Sequence, residues 1–518
     1  MHVIEFFDRG VHINPDGVAF VAHDGSGAVT YSETHALTHQ IATALHRDGF
    51  EAGTPVAILS PNTSSVFPCV LGVLRAGCSW VALNARSTPN ELASLMQLVQ
   101  TRVLLFSTEL ADTAAQLRDA VPTLQRVIAI EGPVRDTQPL EEWIAPRDSR
   151  VSLPRLDPED IAAYFGTGGT TGRSKAVEVP HRALETMIHA FNSHMPEDRP
   201  VHLVAAPLTH AAGASVFPVL SQGGMNVIHR SVVAEDILES IERNSVTRLF
   251  LPPTAIYSLL ESPSARIHDT SSLRYFLYGA APMSVSKLKE AIRLFGPVMT
   301  QFYGQVEAPM MCTFFGPEEH ALAAADPALE KRLASCGRPS LVANVAIMDD
   351  ADAVLPRGER GEIVVRSSLK MRGYHKDPAQ TALAQREGDW QATGDIGYID
   401  DDGYIYIVDR KRDVIISGGF NVFPSEVEQV LWSHPSVNDC AVIGLPDEKW
   451  GERVTAVVEL KEQAEEDPEG LIALCKENLG SVKTPKEIIF RTLPRSAAGK
   501  VLKRTLRDEY WGGRERQV

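Results

Sequence analysis

Between Tyr164 and Lys175 the chain reads YFGTGGTTGRSK. Four glycines (Gly166, Gly168, Gly169, Gly172) and three threonines (Thr167, Thr170, Thr171) crowd a short loop that ends on a lysine. The preceding DIAAYF reads as a buried strand entering that loop. Glycine permits positive φ and lets a ligand approach the backbone closely. Successive N–H groups and threonine hydroxyls can then surround an anion, best a polyphosphate. The plain alternative is a flexible Gly/Thr linker. Flanking strands and the terminal Lys175 speak against it. The loop is not a Walker A loop, because Lys175 lies three places past Gly172. Nor is it G-x-G-x-x-G, since Thr171 fills the place of the last glycine.

A chain of 518 residues, 44% hydrophobic, is long enough for more than one domain and at least one large core. Its net charge of −16 argues against nucleic acid or an anionic membrane surface as the main partner. An anionic ligand must therefore be held by local positive charge. Six cysteines (Cys69, Cys78, Cys312, Cys336, Cys440, Cys475) form no C-x-x-C and no metal-ligand spacing. They read as buried free thiols in a reducing compartment. The N-terminus has neither a basic start nor a long apolar stretch, and no run reaches membrane-spanning length. The expectation is a soluble cytoplasmic protein with no membrane span.

Strand and helix signals alternate through the first three hundred residues. Strands are expected at 55–60, 80–84 and 103–107, with helices at 33–48, 63–76 and 89–100. After the glycine loop, strands are expected at 201–206, 225–229, 248–251, 273–278 and 297–302. Helices are expected between them at 212–221, 234–244, 254–261 and 284–295. Such alternation implies parallel sheets wrapped by helices. PLTHAAG, PPT, YGAAPM and YGQVEAP each follow one of these strands. Ligands of open α/β sheets bind outside the carboxyl ends of strands, so these loops should converge with the glycine loop. From about 340, VANVAIMDD, GEIVVRS and YIDDDGYIYIVDR suggest an antiparallel meander or small barrel. A smaller α/β unit follows: helices near 424–433 and 468–479, and strands near 440–444, 454–460 and 487–491. The basic run 409–413 is a plausible boundary.

The glycine loop resembles the T-[SG]-G-T-T-G-x-P-K signature of the adenylate-forming (ANL) superfamily, and the chain is similar to its AMP-forming acyl-CoA synthetase branch. The matching motifs run in family order from about 164 to 500. In this resemblance Thr167, Gly168, Gly169, Thr170, Thr171, Gly172 and Lys175 are nucleotide ligands, with Thr167 and Lys175 also catalytic. YGQVEAP resembles Y-G-x-T-E, which implies Tyr303 and Gly304 against adenine and Glu307 on Mg²⁺. A carboxylate beside a polyphosphate indeed needs a cation between them. Gly279, Ala280, Ala281 and Pro282 match the small-residue turn beside adenine. WQATGD matches W-x-x-T-G-D, which implies Asp395 on the ribose hydroxyls, joined by Arg410 of DRKRDVIISGG. LPRSAAGKVLKR resembles the element whose lysine, here Lys500, catalyses adenylation. A positioned ammonium offsets the repulsion between carboxylate and α-phosphate.

The resemblance also implies fold and cycle. It implies an α/β protein: a large N-terminal domain of parallel α/β subdomains plus a small β-barrel (1–411), then a small mobile C-terminal α/β domain (412–518). Arg412 falls at the hinge, and Gly418 and Gly419 line a passage for the pantetheine arm. ATP, Mg²⁺ and coenzyme A are the implied cofactors. Four departures stand out. Val306 replaces a threonine that offers its hydroxyl to phosphate, a loss of about 1.5–3 kcal/mol. Phe420 replaces a glutamate after the two glycines, while Ser174 and Ala176 replace a proline and a glycine.

His210, which the resemblance makes a candidate catalytic residue and whose plain alternative is a packed loop histidine, occupies the place where amino-acid-activating relatives carry an aspartate. A buried ammonium needs a carboxylate partner, so this argues against an amino acid substrate. With His210, the expected pocket residues are Phe217, Tyr278, Val306, Met310 and Met311, with Pro253 also on the wall. They imply a hydrophobic carboxylic acid. The expected reaction forms an acyl-adenylate, releases pyrophosphate and passes the acyl group to the CoA thiol. An acyl carrier protein as acceptor, a luciferase-like oxygenase, and a degenerate nucleotide-binding protein are the alternatives. S-x-x-K at Ser284–Lys287 and Ser367–Lys370 lacks its K-T-G and S-D-N companions.

Overall fold

The computed structural model describes residues 1–144, 146–167, 175–209, 211–495 and 501–511. They form two compact units: Met1–Val345 with Val365–Gln391, and Ala346–Val364 with Ala392–Val518.

The first unit holds two sheets. An eight-stranded sheet has Pro55–Ser60 between Ser79–Asn84 and Val103–Phe106, all parallel. These strands are apolar without alternation, as strands covered on both faces must be. Leu59, Val81, Leu104 and Phe106 are wholly buried with Met96 and Leu117 from covering helices. Two helices start on reciprocal caps. Glu33 N–H donates to Thr30 Oγ1 at 3.2 Å while Glu33 accepts from Thr30 N–H, and Thr88 with Glu91 repeats the arrangement. A nine-stranded sheet is parallel through Val18–Ala22, Met225–Ile228, Val201–Val204, Arg248–Leu251, Tyr275–Tyr278 and Met299–Gln305.

Each parallel array ends in an antiparallel hairpin. Ile161–Thr167 pairs parallel with Ser79–Asn84 and then antiparallel with Lys175–Pro180. Met299–Gln305 pairs parallel with Tyr275–Tyr278 and then antiparallel with Ala308–Phe315. Periodicity does not announce the second hairpin. The strand expected to end at 302 runs on to Gln305, and the chain reverses at Val306 and Glu307. Gly304 permits this: a Cβ there would lie 2.5 Å from Met310 N. The register shifts between Tyr303 and Gln305, and Met310 takes φ +57 across from it.

In the second unit, residues Asp395 to Ile399 pair antiparallel with Ile405–Arg410, a hairpin within the stretch expected to form a meander or small barrel. A five-stranded sheet carries Ile415–Ser417, Phe420–Val422, Val437–Asp447, Gly451–Leu460 and Glu487–Phe490. Its core joins Val442 and Ala456 of the sheet to Val427 and Leu431 of the helix Pro424–Trp432 and Cys475 of the helix Pro468–Lys483, all buried. All six cysteines are free and buried. No helix among the described residues is long and apolar enough to cross a membrane.

One buried ion pair braces the nine-stranded sheet. Arg248 is wholly buried, and its Nε donates to Glu197 Oε2 at 2.9 Å while Nη2 donates to Met195 O at 3.0 Å. Removing one partner strands a charge, at a cost of about 3–5 kcal/mol. Urea unfolding of Glu197→Ala should show that loss, and the double variant Glu197→Ala/Arg248→Met should recover part of it.

Candidate active site

The two hairpins of the first unit carry the expected phosphate and metal groups. Thr167 and Lys175 face each other as register partners at the mouth of the glycine hairpin. Gly168, Gly169, Thr170, Thr171 and Gly172 lie outside the described residues. Lys175 Nζ donates to Gln380 Oε1 at 2.6 Å and sits 4.8 Å from the centroid of the Tyr374 ring. Glu307 lies at the turn of the other hairpin, half-buried. Its Oε1 accepts from the Tyr374 hydroxyl at 2.9 Å. Its backbone carbonyl accepts from Met371 N–H at 2.8 Å and from Gln391 Nε2 at 2.9 Å.

Residues 371–375 therefore stitch one sheet to the other. Met371 bonds the Glu307 turn, Arg372 N–H donates to Glu178 O at 2.9 Å, and His375 N–H donates to Ala176 O at 2.8 Å. Gly373 and Tyr374 pair antiparallel with Glu178 and Val177 of the glycine hairpin. His375 adds a 2.7 Å contact from Nδ1 to Glu178 Oε1. Burial, reinforced by the Glu307 carboxylate, pushes the Tyr374 phenol well above its ordinary range. It stays protonated and available as a donor.

The small-residue turn lies beside the same hairpin. A Cβ on Gly279 would meet Phe302 O at 2.9 Å, and Ala280 takes φ +65. A non-glycine residue at positive φ is held there by its surroundings. Tyr303 is largely buried, and Val306 is half-buried next to Glu307. Pro282 and Ala281 are exposed.

The expected pocket residues are packed. Phe217 makes an edge-to-face contact with Phe67, centroids 5.1 Å apart, and Met310, Met311 and Pro253 are buried. The Tyr278 hydroxyl lies 2.8 Å from Nε2 of buried His320, whose Nδ1 lies 2.9 Å from Gly316 O. His210 lies outside the described residues. The chain just before it is clamped by Asn62, a residue that no sequence signal singled out. Asn62 Nδ2 donates to Ala206 O (2.9 Å) and His229 O (3.1 Å), and Oδ1 accepts from Leu208 N–H at 3.0 Å. Tyr374 and Gln380 were missed for the same reason: a single polar residue in a short irregular segment carries no periodicity.

The second unit holds its own pair. Asp395 and Arg410 are register partners on adjacent strands, and Arg410 Nε lies 2.7 Å from Asp395 Oδ1. The aspartate is buried and the arginine is half-exposed. Gly394 N–H donates to Glu362 Oε1 at 3.1 Å, and Thr393 Oγ1 donates to Ile363 O at 2.7 Å. Arg412 is exposed on a short helical turn, Lys411–Asp413. Gly418 and Gly419 form a two-residue hairpin turn with φ +59 and +80, the left-handed values such a turn demands. Lys500 lies outside the described residues. On either side of its segment, Arg495 bridges Val501 and Leu502 N–H donates to Pro494 O at 2.8 Å. Lys503 is half-buried, its Nζ 2.7 Å from Oε1 of buried Glu428.

The donor set suits a magnesium nucleotide. A carboxylate and an ammonium come within reach of one tyrosine without being joined to each other. Comparison with known proteins agrees. Residues 7–375 match the AMP-binding enzyme family and residues 426–500 match the AMP-binding enzyme C-terminal domain. The chain is 34% identical to the medium/long-chain-fatty-acid–CoA ligase FadD8 of Mycobacterium tuberculosis, covering 96% of this chain and 90% of the relative. It is 34% identical to a feruloyl-CoA synthase of Amycolatopsis sp, covering 97% and 98%. It is 28% identical to the fatty acid–[acyl-carrier-protein] ligase ScoC of Streptomyces coeruleorubidus, covering 95% and 93%. Among solved structures, the amide bond synthetase McbA of Marinactinospora thermotolerans superposes with TM-score 0.88 at 32% identity, covering 98% of this chain and all of that one.

Gly304 tests the hairpin directly. Gly304→Ala forces a methyl against Met310 backbone, an overpacking worth about 1–3 kcal/mol. The melting temperature should fall, and amide exchange across 303–315 should rise selectively.

Proposed function

This chain belongs to the AMP-binding enzyme family, and on that premise we propose that it activates a hydrophobic carboxylic acid with ATP and passes the acyl group to coenzyme A. The carrying observation is the approach of Glu307 and Lys175, from hairpins of two different sheets, to the single side chain of Tyr374. That approach supports the reading, because it brings a carboxylate suited to a cation and an ammonium suited to phosphate to one side chain.

ATP and the acid are both anionic, so the chain must bring two like charges together. Glu307 would hold magnesium, which supplies charge that offsets the polyphosphate. Thr167, Lys175 and the glycines and threonines between them bind the β- and γ-phosphates. Gly279, Ala280, Ala281, Pro282, Tyr303 and Gly304 hold adenine, and Asp395 with Arg410 holds the ribose. Lys500 brings its ammonium to the α-phosphate as the acid's carboxylate oxygen attacks phosphorus. The bond to the β-phosphate breaks, pyrophosphate leaves and the acyl-adenylate remains. In the second step the small domain turns about Arg412. The CoA thiol, reaching in past Gly418 and Gly419, then attacks the acyl carbon and AMP leaves.

His210, Phe217, Tyr278, Val306, Met310 and Met311 remain our choice for the acid's surroundings. They are apolar apart from His210 and the engaged hydroxyl of Tyr278. The cytoplasm is the fitting compartment, because all six thiols are free there. A second reading, that the acceptor is the phosphopantetheine of an acyl carrier protein, is favoured by the likeness to ScoC.

Product analysis with ATP, Mg²⁺ and a panel of fatty and aryl acids tests the reading. Thioester with free CoA is the expected result, and pyrophosphate without thioester favours the carrier protein. ATP binding with no pyrophosphate from any acid overturns both readings. Lys500→Ala should cut adenylation by at least about a hundredfold, yet leave thioester formation from supplied acyl-adenylate near the parent rate. Val306→Thr should keep or raise the adenylation rate, because it restores a hydroxyl beside Glu307.

A further inference from the structure

Lys175 and Glu307 are opposite charges at the mouths of two facing hairpins. Two half-buried opposite charges that reach one side chain ordinarily pair with each other. Pairing would consume both: the carboxylate could not bind a cation, and the ammonium could not bind phosphate. The structure gives both the same partner instead, Tyr374, each at a different part of its side chain. The Tyr374 hydroxyl donates to Glu307 Oε1 at 2.9 Å. The face of its ring receives the Lys175 ammonium, 4.8 Å from the centroid. Gln380 accepts from that ammonium at 2.6 Å.

Tyr374 is itself firmly placed. Its strand pairs with Val177, and its N–H donates to Thr381 Oγ1 at 2.9 Å. Its carbonyl accepts from Asp377 N–H at 3.0 Å, and Asp377 Oδ1 accepts from Gln380 N–H at 3.0 Å. Ring, hydroxyl and glutamine amide thus belong to one braced segment, 374–381.

From this geometry we infer that Tyr374 is a positioning residue that keeps Glu307 and Lys175 apart and aimed until nucleotide and cation arrive. The inference rests on the nucleotide reading above. A hydroxyl bound to one oxygen of a carboxylate leaves the other oxygen free and fixes its direction. Loss of such an outer partner typically costs ten- to a hundredfold in metal affinity, at about that order here. The ring has a separate task, since a cation held over a π face is released to phosphate more readily than one bound to a carboxylate.

The full chain tests this with Tyr374→Phe and Tyr374→Leu. Manganese(II) binding is read by paramagnetic resonance with a non-hydrolysable ATP analogue present. Analogue binding without divalent cation is read by calorimetry. Tyr374→Phe keeps the ring and should weaken manganese binding about tenfold, with cation-free nucleotide binding within about twofold of the parent. Tyr374→Leu frees the lysine to meet the glutamate and should weaken both about tenfold or more. Equal loss in both measurements for Tyr374→Phe, or no loss in either, overturns the inference. Should Tyr374→Phe fail to fold, Gln380→Leu removes the amide from the lysine alone. It should weaken cation-free nucleotide binding and leave manganese affinity unchanged, and the opposite pattern overturns the inference. A parent enzyme that binds manganese and nucleotide yet releases no pyrophosphate would sink the ligase reading and leave the role of Tyr374 standing.

Discussion

The candidate site depends on five consecutive residues. Met371 to His375 run along the outer edge of the glycine hairpin and bond the turn of the Tyr303 hairpin on their way. The two hairpins belong to different sheets, and each sheet is stable by its own buried strands. Backbone bonds from the strap fix one relative to the other at the place we propose for phosphate and cation. Each bond alone is worth about 0.5–1.5 kcal/mol. Their value lies in direction, since together they hold Glu307 by its carbonyl while Tyr374 holds it by its carboxylate. Catalysis by charge placement needs that kind of preorganisation.

Much of the frame was legible because buried parallel strands and amphipathic helices leave strong periodic marks. Pro55–Ser60, Arg248–Leu251 and Ala234–Asn244 fall where the pattern puts them. The two antiparallel returns were harder. Ala308–Phe315 is apolar at nearly every position, and an apolar run that long fits a strand or a buried helix equally well. The decisive residue was Gly304, whose missing Cβ allows the tight crossing, and nothing in a single sequence separates it from any other loop glycine. The strap was invisible for a related reason. Two residues of edge strand have no period, and the work is done by backbone N–H groups, which every residue but proline possesses.

The candidate side chains stand out as motifs, and their partners in the structure do not. Glu307, Lys175, Asp395 and Arg410 stand in recognisable strings, but Tyr374, Gln380 and Asn62 act through contacts made far along the chain. Lys175 meets Gln380 across 205 positions, and Asn62 reaches Ala206 across 144. Pattern reading works over a few turns of chain, so such pairings lie beyond its range. The Asp395–Arg410 pair is the instructive exception. Its members are fifteen residues apart on neighbouring strands of one hairpin, close enough for sequence spacing and register to say the same thing.

Val306 shows what that division of labour permits. In a hairpin held only by its own turn, residue 306 would help to set where Glu307 points. Here direction comes from Met371, Gln391 and Tyr374, all bonded to Glu307 itself, and the crossing is set by Gly304 against Met310. The side chain at 306 carries no part of the frame and can change without moving its neighbour. A β-branched valine suits extended backbone beside such a turn. On the proposed nucleotide reading, its cost would be one hydroxyl offered to phosphate, with the architecture left whole. The same reasoning separates two kinds of departure from a family pattern: those at residues that hold others in place, and those at residues that are held.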